Sequence, residues 1–297
     1  MARRERDSIA GMPRRPRAAL RRLLLQTAAA WPAGAALGAA SAPQPQQPPL
    51  KLRLLAEPFP PLQYGAPPEP AHGASIDLVQ AALALVAEQL PVQARPVEFL
   101  PLQRALMIAT TQPQALVLSI ARTPEREARL RWLGTVAPYE LWLYRLKQPG
   151  QAPLQGPEQL RGHGLRFGVQ LRSNFHEWLL RQGIGAAPDN SVIDTVAQNS
   201  LNFQKARAGR IDVFAHPAIS FAHRAAEHGL RASAFEPLMR IDELSAPLWV
   251  ATGLDSDERL CALLVQAFST LQRSGRAGRL LEDSIRSFNT LHRLDGS

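Results

Sequence analysis

The sequence predicts an α/β protein built on a parallel sheet with helices on both faces. Two observations carry that prediction. Apolar runs of strand length alternate along the chain with segments whose apolar residues recur at helical spacing. The 297 residues are 45% apolar, enough to fill a core of that size and to exclude global disorder. The net charge of +9 first suggests a nucleic-acid partner, but position removes that reading. Eight arginines against Glu5 and Asp7 lie within residues 1–42, leaving only +3 on the rest of the chain. No nucleic-acid partner is expected.

Residues 1–42 read as an export signal. A cationic stretch ends at Arg21-Arg22, an apolar core runs from Leu23 to Trp31, and small residues from Gly34 to Ala42 offer cleavage after Ala40 or Ala42. Arg21-Arg22 before Leu24-Leu25 resembles a twin-arginine signal, and the pattern is complete from Met12 onward. The other reading is an uncleaved anchor, which Pro32 and the Ala/Gly-rich core disfavour. Residues 43–50, with Pro43, Pro45, Pro48 and Pro49, read as an extended linker.

The body begins with a strand, Lys51 to Leu55, and a proline-dense loop from Pro58 to Gly65. Ser75 is placed to cap a helix running to Leu90, whose apolar face is Ile76, Val79, Leu83, Val86 and Leu90. A strand follows over Val92 to Glu98, then a short helix over Leu102 to Ala109 and a strand over Ala115 to Ile120. The pattern resumes with strands at Leu141 to Leu146 and Leu165 to Val169, and a helix capped by Ser173. Val192 opens a strand or turn, and Asn199 to Ala208 a helix. The rest reads as a strand at Ile211 to Ala215, a helix at Ile219 to His228, a strand at Pro247 to Ala251, and two closing helices, Asp257 to Ser274 and Ala277 to Asn289.

The familiar catalytic motifs are missing. No G-x-G-x-x-G follows a strand, and no P-loop, H-E-x-x-H or G-x-S-x-G occurs. Gly275 to Gly278 reads as a helix end and turn, and His176-Glu177 as a surface pair. The single cysteine, Cys261, sits in an apolar helical run and reads as a buried thiol, so neither a disulfide nor a cysteine-rich zinc site is available. No cofactor or metal is expected.

One stretch is informative. Ser119 to Glu127, S-I-A-R-T-P-E-R-E, follows an apolar strand and precedes Leu130 to Gly134 and Pro138-Tyr139. Around it come the aromatic-proline loop Pro58 to Tyr64, then Gly73-x-x-x-Asp77-Leu78, Leu160-Arg161-Gly162 before Phe167 to Gln170, Ala208 to Asp212, and Ser274-Gly275-Arg276. In this order they resemble the bacterial extracellular solute-binding proteins of family 3, the amino-acid-type receptors of ABC importers. The resemblance spans about residues 51–290.

That resemblance implies a two-lobed, type II periplasmic-binding-protein fold with two crossing strands as hinge, near residues 139–146 and 244–251. Lobe 1 would hold residues 51–140 and 248–297, lobe 2 residues 141–247. By family position Arg126 is the clamp for a ligand carboxylate, a group that guanidinium grips with two parallel bonds. Arg122 competes for that role, and a solvated Arg126 paired with Glu125 or Glu127 is the bland alternative. Ser119 and Thr123 would add donors beside it, Phe59 and Tyr64 would wall the pocket or simply pack under the loop, and Ser173 and Asn174 would donate from a helix start in lobe 2. His216 is a candidate contact, with capping or solvent exposure as its other reading.

Two departures bear on the ligand. Receptors of α-amino acids usually carry an acid where this chain has Pro217, and Arg172 stands where glycine is common. The implied function is capture of a small organic anion or amino-acid-like solute in the periplasm by a monomer, for an ABC importer or a sensor. The alternatives are a periplasmic enzyme resembling cyclohexadienyl dehydratase, for which Glu57 and Glu125 are the candidate acids, and an accessory protein of a periplasmic redox system.

Overall fold

Leu50–Ala56 forms the first strand, β1, and its burial on both faces sets the architecture. Leu52 and Leu54 point into one apolar cluster and Leu55 into another, which is how a central strand of an α/β sheet reads. The computed structural model describes residues 48–65, 68–148, 150 and 157–294. Residues 1–47 lie outside it, so the export signal and the first part of the expected linker are not part of this description, and Leu50, the linker's last residue, already belongs to β1.

The first sheet runs β2 (Val92–Ala94), β1, β4 (Ala115–Ala121), β11 (Leu248–Gly253), β5 (Leu130–Ala137), with β3 (Glu98–Phe99) also on β1. Strands β2, β3 and β4 are parallel to β1, whereas β11 is antiparallel to both neighbours. Helices α1 (Ala74–Ala87) and α7 (Glu258–Arg273) cover one face. Helix α2 (Leu102–Thr111) covers the other through Ala105, Ile108 and Ala109.

The second sheet runs β10 (Phe235–Arg240), β6 (Leu141–Leu146), β9 (Val213–Pro217), β7 (Arg166–Gln170), β8 (Val192–Val196). Its β7 is parallel to β8 and β9, and β6 is antiparallel to β9 and β10. Helices α4 (Asn174–Arg181), α5 (Leu201–Arg207) and α6 (Ala218–Glu227) pack on it. The chain passes to this sheet through Pro138–Glu140 after β5 and returns through Ser245–Pro247 to β11. Two lobes thus share two crossings.

Several expectations need correction. Both sheets are mixed, not purely parallel. Ser75 does not cap α1: it lies inside the helix, fully buried, and the helix starts after Gly73, whose φ of 118° suits glycine. The strand expected over Val92 to Glu98 is two short pieces, because Pro96 lacks an N–H and interrupts the ladder. Strand β9 begins two residues later than Ile211, since the Asp212 carboxylate turns back to accept from the Arg166 N–H at 2.8 Å and its guanidinium at 2.6 Å. Cys261 is buried as expected, and burial pushes its thiol pKa up. No helix among the described residues is long and apolar enough to cross a membrane.

Candidate functional site

Between the sheets lies a cleft of about 1330 Å³, lined from both lobes. Its walls come from the carboxyl ends of parallel strands: β1 and β4 in the first lobe, β7, β8 and β9 in the second. Open α/β sheets bind ligands there.

The first-lobe wall is shaped by a bulge in β4. Ile120 pairs with Trp249 and Val117 with Ala251, so β4 carries one residue more than β11 opposite it. Ser119 sits in that bulge with φ of 55°, a left-handed conformation unusual for serine. Its hydroxyl donates to Gln63 Oε1 at 2.7 Å and accepts from Ser75 Oγ at 2.7 Å, and Gln63 Nε2 donates to the Glu57 carbonyl at 3.2 Å. This relay ties β4, α1 and the loop after β1 together under the cleft.

Beyond β4, Thr123 is extended and Pro124 opens a single helical turn, α3 (Pro124–Glu127), where a missing N–H costs nothing. The turn sorts the two arginines. Arg126 lines the cleft and Arg122 does not. Arg126 donates from Nη1 to the Ala121 carbonyl at 2.8 Å and makes no ion pair with the described residues. Burial lowers its pKa. Arg122 is ion-paired with Glu127 and lies over the rings of Trp132 and Trp249, 5.5 and 5.1 Å from their centroids. Arg122, the competing clamp of the sequence reading, is thus engaged outside the cleft lining.

Phe59 walls the cleft and its ring stands 6.4 Å from that of Tyr139. Tyr64 does not line it. Its ring packs on Phe288 at 4.9 Å and on His72 at 6.0 Å, because the isolated bridge to His72 turns the end of the loop away from the cleft. Tyr139 takes that place at the crossing, and burial pushes its phenol pKa up to about 12, so it remains an O–H donor.

In the second lobe, Ser173 and Asn174 line the cleft at the start of α4, with Ser173 Oγ accepting from the His176 N–H at 3.2 Å. Arg172 has φ of 60°, the left-handed conformation that explains why glycine suits this position, and it is not a cleft residue. His216 is 5% exposed and held by a closed set of bonds. Asn199 donates to the Ala215 carbonyl at 2.9 Å and to His216 Nδ1 at 3.1 Å, and accepts from Asn202 at 3.0 Å. With Nδ1 an acceptor, the imidazole proton is on Nε2, facing Ser220 Oγ at 3.3 Å, and Ser220 in turn donates to the Pro217 carbonyl at 3.4 Å. Burial, then Arg224 and His228, push the His216 pKa down to about 3. His216 is therefore a neutral wall residue, neither a helix cap nor solvent-exposed.

Set beside solved structures, this fold matches known receptors. The extracellular binding protein of a probable amino-acid ABC transporter from Bacillus subtilis is 14% identical with a TM-score of 0.62, over 78% of this chain and 96% of its own. A substrate-binding protein of an amino-acid ABC transporter from Streptococcus pneumoniae, AbpA, bound to L-arginine, is 17% identical with a TM-score of 0.58, over 80% and 95%. A histidine kinase sensor domain similar to periplasmic binding proteins is 15% identical with a TM-score of 0.57, over 78% and 95%. No protein-family model and no curated protein sequence matches this chain. At these identities the likeness establishes the fold, the two-lobed periplasmic-binding-protein architecture.

Of the nine residues expected at the site, Phe59, Ser119, Thr123, Arg126, Ser173, Asn174 and His216 converge on the cleft, while Arg122 and Tyr64 do not. Both signs of charge line the cleft. Arg126 and Arg129 come from one lobe, and Arg224, paired with Glu227 at 2.8 Å, from the other. The cleft acids are Glu57 and Glu125, and Thr123 holds Glu125 below the usual carboxylate range, the opposite of what a general acid needs. Asp194, on β8, does not line the cleft and is paired with Lys205 at 2.6 Å. Gln63, Tyr139, Asn199 and Ser220 also line the cleft, and the sequence does not mark them as site residues. Each is an uncharged residue in an ordinary local pattern, and only the fold brings them together.

Proposed function

We propose that this chain is an exported solute receptor of the family 3 type, which captures a small organic anion between its lobes for an ABC importer or a sensor. The observation that carries the reading is Arg126: half-buried, on the cleft wall, and without a carboxylate of its own. A guanidinium so placed is suited to a ligand carboxylate. The proposed lobes are residues 51–140 with 248–297, and residues 141–247, closing as a monomer by a hinge at the two crossings. Because Pro217 and a neutral His216 stand where an acid would receive an ammonium, the preferred ligand lacks an obligatory ammonium. A deaminated acid is expected to bind more tightly than the matching α-amino acid.

A ligand panel read by thermal shift, followed by calorimetry, tests this. A ligand at about 100 times its Kd adds about 2.7 kcal/mol of stability. Arg126→Ala is expected to weaken binding roughly a hundredfold or more, and Arg126→Lys not to restore it, since two charge-assisted bonds are lost. Arg122→Ala is expected to leave affinity nearly unchanged. The reverse ranking of the two alanine variants overturns the assignment, and turnover of the ligand by purified protein moves the reading to an enzyme. Export to the periplasm is expected to remove about forty residues, as the signal pattern ends near Ala42. Mass spectrometry of periplasmic protein checks this, and a mature N-terminus upstream of Leu37 counts against it.

A further inference from the structure

Tyr139 stands where the two lobes and the cleft meet. It belongs to the crossing after β5, and its backbone is fixed there, because the Ala246 N–H of the other crossing donates to its carbonyl at 2.9 Å. Its ring packs against the apolar cores of both lobes and stands beside Phe59. Held between two cores, the side chain opens onto the cleft that it lines.

The hydroxyl has no work to do within the fold. It makes no hydrogen bond with any described residue, yet it is not sealed from solvent. The cleft residues that flank it, Phe59, Leu141 and Ala246, are apolar and offer it no side-chain acceptor. A polar hydrogen largely withdrawn from water costs free energy until something accepts it. The phenol keeps its proton throughout the range in which the protein would work, so what it requires is a lone pair.

Its position relative to Arg126 follows from the sheet. Ala121 and Ala137 both pair with Leu248, one on each side of β11. Two strand spacings separate them, about 10 Å. The Arg126 guanidinium is anchored on the Ala121 carbonyl at 2.8 Å, and Tyr139 follows Ala137 by two residues. Guanidinium and phenol thus stand on one wall, at a separation that the two side chains can close around one small acid. With Nη1 on Ala121, Arg126 retains Nε and Nη2 for a carboxylate. The phenol is left for a second oxygen.

We propose that Tyr139 is a specificity-determining residue, donating its phenol O–H to the 2-hydroxy or 2-oxo oxygen of an acid whose carboxylate is held by Arg126. The inference rests on the anion reading above and narrows it to a substrate class, 2-hydroxy and 2-oxo carboxylic acids. A 2-ammonium group has no lone pair, so it leaves the phenol hydrogen unmatched, and so does a plain acid with only hydrogen at that carbon.

Calorimetry with purified mature protein tests it at two side-chain sizes. One series is propanoate, lactate (both enantiomers), pyruvate and alanine; the other is 3-phenylpropanoate, 3-phenyllactate, phenylpyruvate and phenylalanine. The hydroxy or oxo acid is expected to bind about three- to tenfold tighter than the plain acid, the worth of one neutral hydrogen bond. Tyr139→Phe removes one oxygen and keeps the ring between the cores. It is expected to erase that preference, to leave the plain acid's affinity unchanged, and to leave the urea midpoint of the unliganded protein where it was. A merely structural hydroxyl would move the midpoint and weaken all acids alike, and that result overturns the inference. A variant that keeps the wild-type preference overturns it too and leaves the anion reading standing. Binding of the amino acids alone, or of none of these probes, overturns the anion reading and the inference with it.

Discussion

Ser119 holds a conformation that serine adopts reluctantly, and its two hydrogen bonds compensate. A non-glycine residue at φ of 55° costs about 1–3 kcal/mol, offset by bonds to Gln63 and Ser75. Ser119→Ala keeps the strain and leaves a buried amide oxygen and hydroxyl unmatched, an expected loss of about 2 kcal/mol. Ser119→Gly loses the same bonds but relieves the backbone, so it is expected to fall between wild type and alanine. Urea unfolding ranks the three, and an alanine variant as stable as wild type refutes the account. None of this was visible in the sequence, where Ser119 reads as an ordinary strand residue before a turn. Arg126 was legible through the S-I-A-R-T-P-E-R-E pattern, but its competition with Arg122 was not. That choice depends on Trp132 and Trp249, which come from strands far apart in sequence and meet only across β5 and β11.

At the scale of elements, close approach of backbones decides what can change. Gly134 in β5 lies directly under Phe268 of α7, and a Cβ there would overlap the phenylalanine side chain. Phe268 is 1% exposed, so it has little room to move. Gly134→Ala is expected to cost about 1–3 kcal/mol through overpacking. Gly278 lies within α8 (Arg276–Leu291) with nothing near its added Cβ, and Gly278→Ala is expected to stabilise by about 0.4–1 kcal/mol. Opposite shifts of the urea midpoint verify the packing, and equal shifts contradict it. Most elements were legible because their apolar period and caps agree locally, as with Ser173 at α4 and Asp257 at α7, which accepts from the Leu260 N–H at 2.7 Å. Strands β5 and β10 do not read as strands in the sequence. Strand β5 breaks the apolar pattern with Arg131, Gly134 and Thr135, and β10 carries Pro237 and a bulge at the edge of its sheet. Their place is set by pairing with β11 and β6, information that a single strand does not contain.

Among the described residues, α6 joins the lobes besides the crossings. Ile219 of α6 packs against the first-lobe core, and His223 of the same helix stacks edge-on to Phe288 at 5.0 Å and lies 5.3 Å from His292 of the other lobe. Just inside this junction His216 is buried neutral, and that links stability to pH. In the unfolded chain an imidazole takes up its proton near pH 6.5, whereas in the fold burial holds His216 down to about 3. Between those values the unfolded state binds the extra proton, so the contribution is fully present above pH 6.5 and is lost as pH falls. The loss is about 1.4 kcal/mol for each pH unit below 6.5. His223 is also lowered by burial and adds in the same direction, with Glu227 at 3.2 Å opposing. His216→Gln separates the terms, since its amide can accept from Asn199 and donate to Ser220 but cannot titrate in this range. Urea unfolding between about pH 7 and 5 is expected to show wild type losing more stability than the glutamine variant, by approximately 2 kcal/mol at the acid end. Parallel profiles for the two proteins contradict a buried neutral imidazole in the cleft wall.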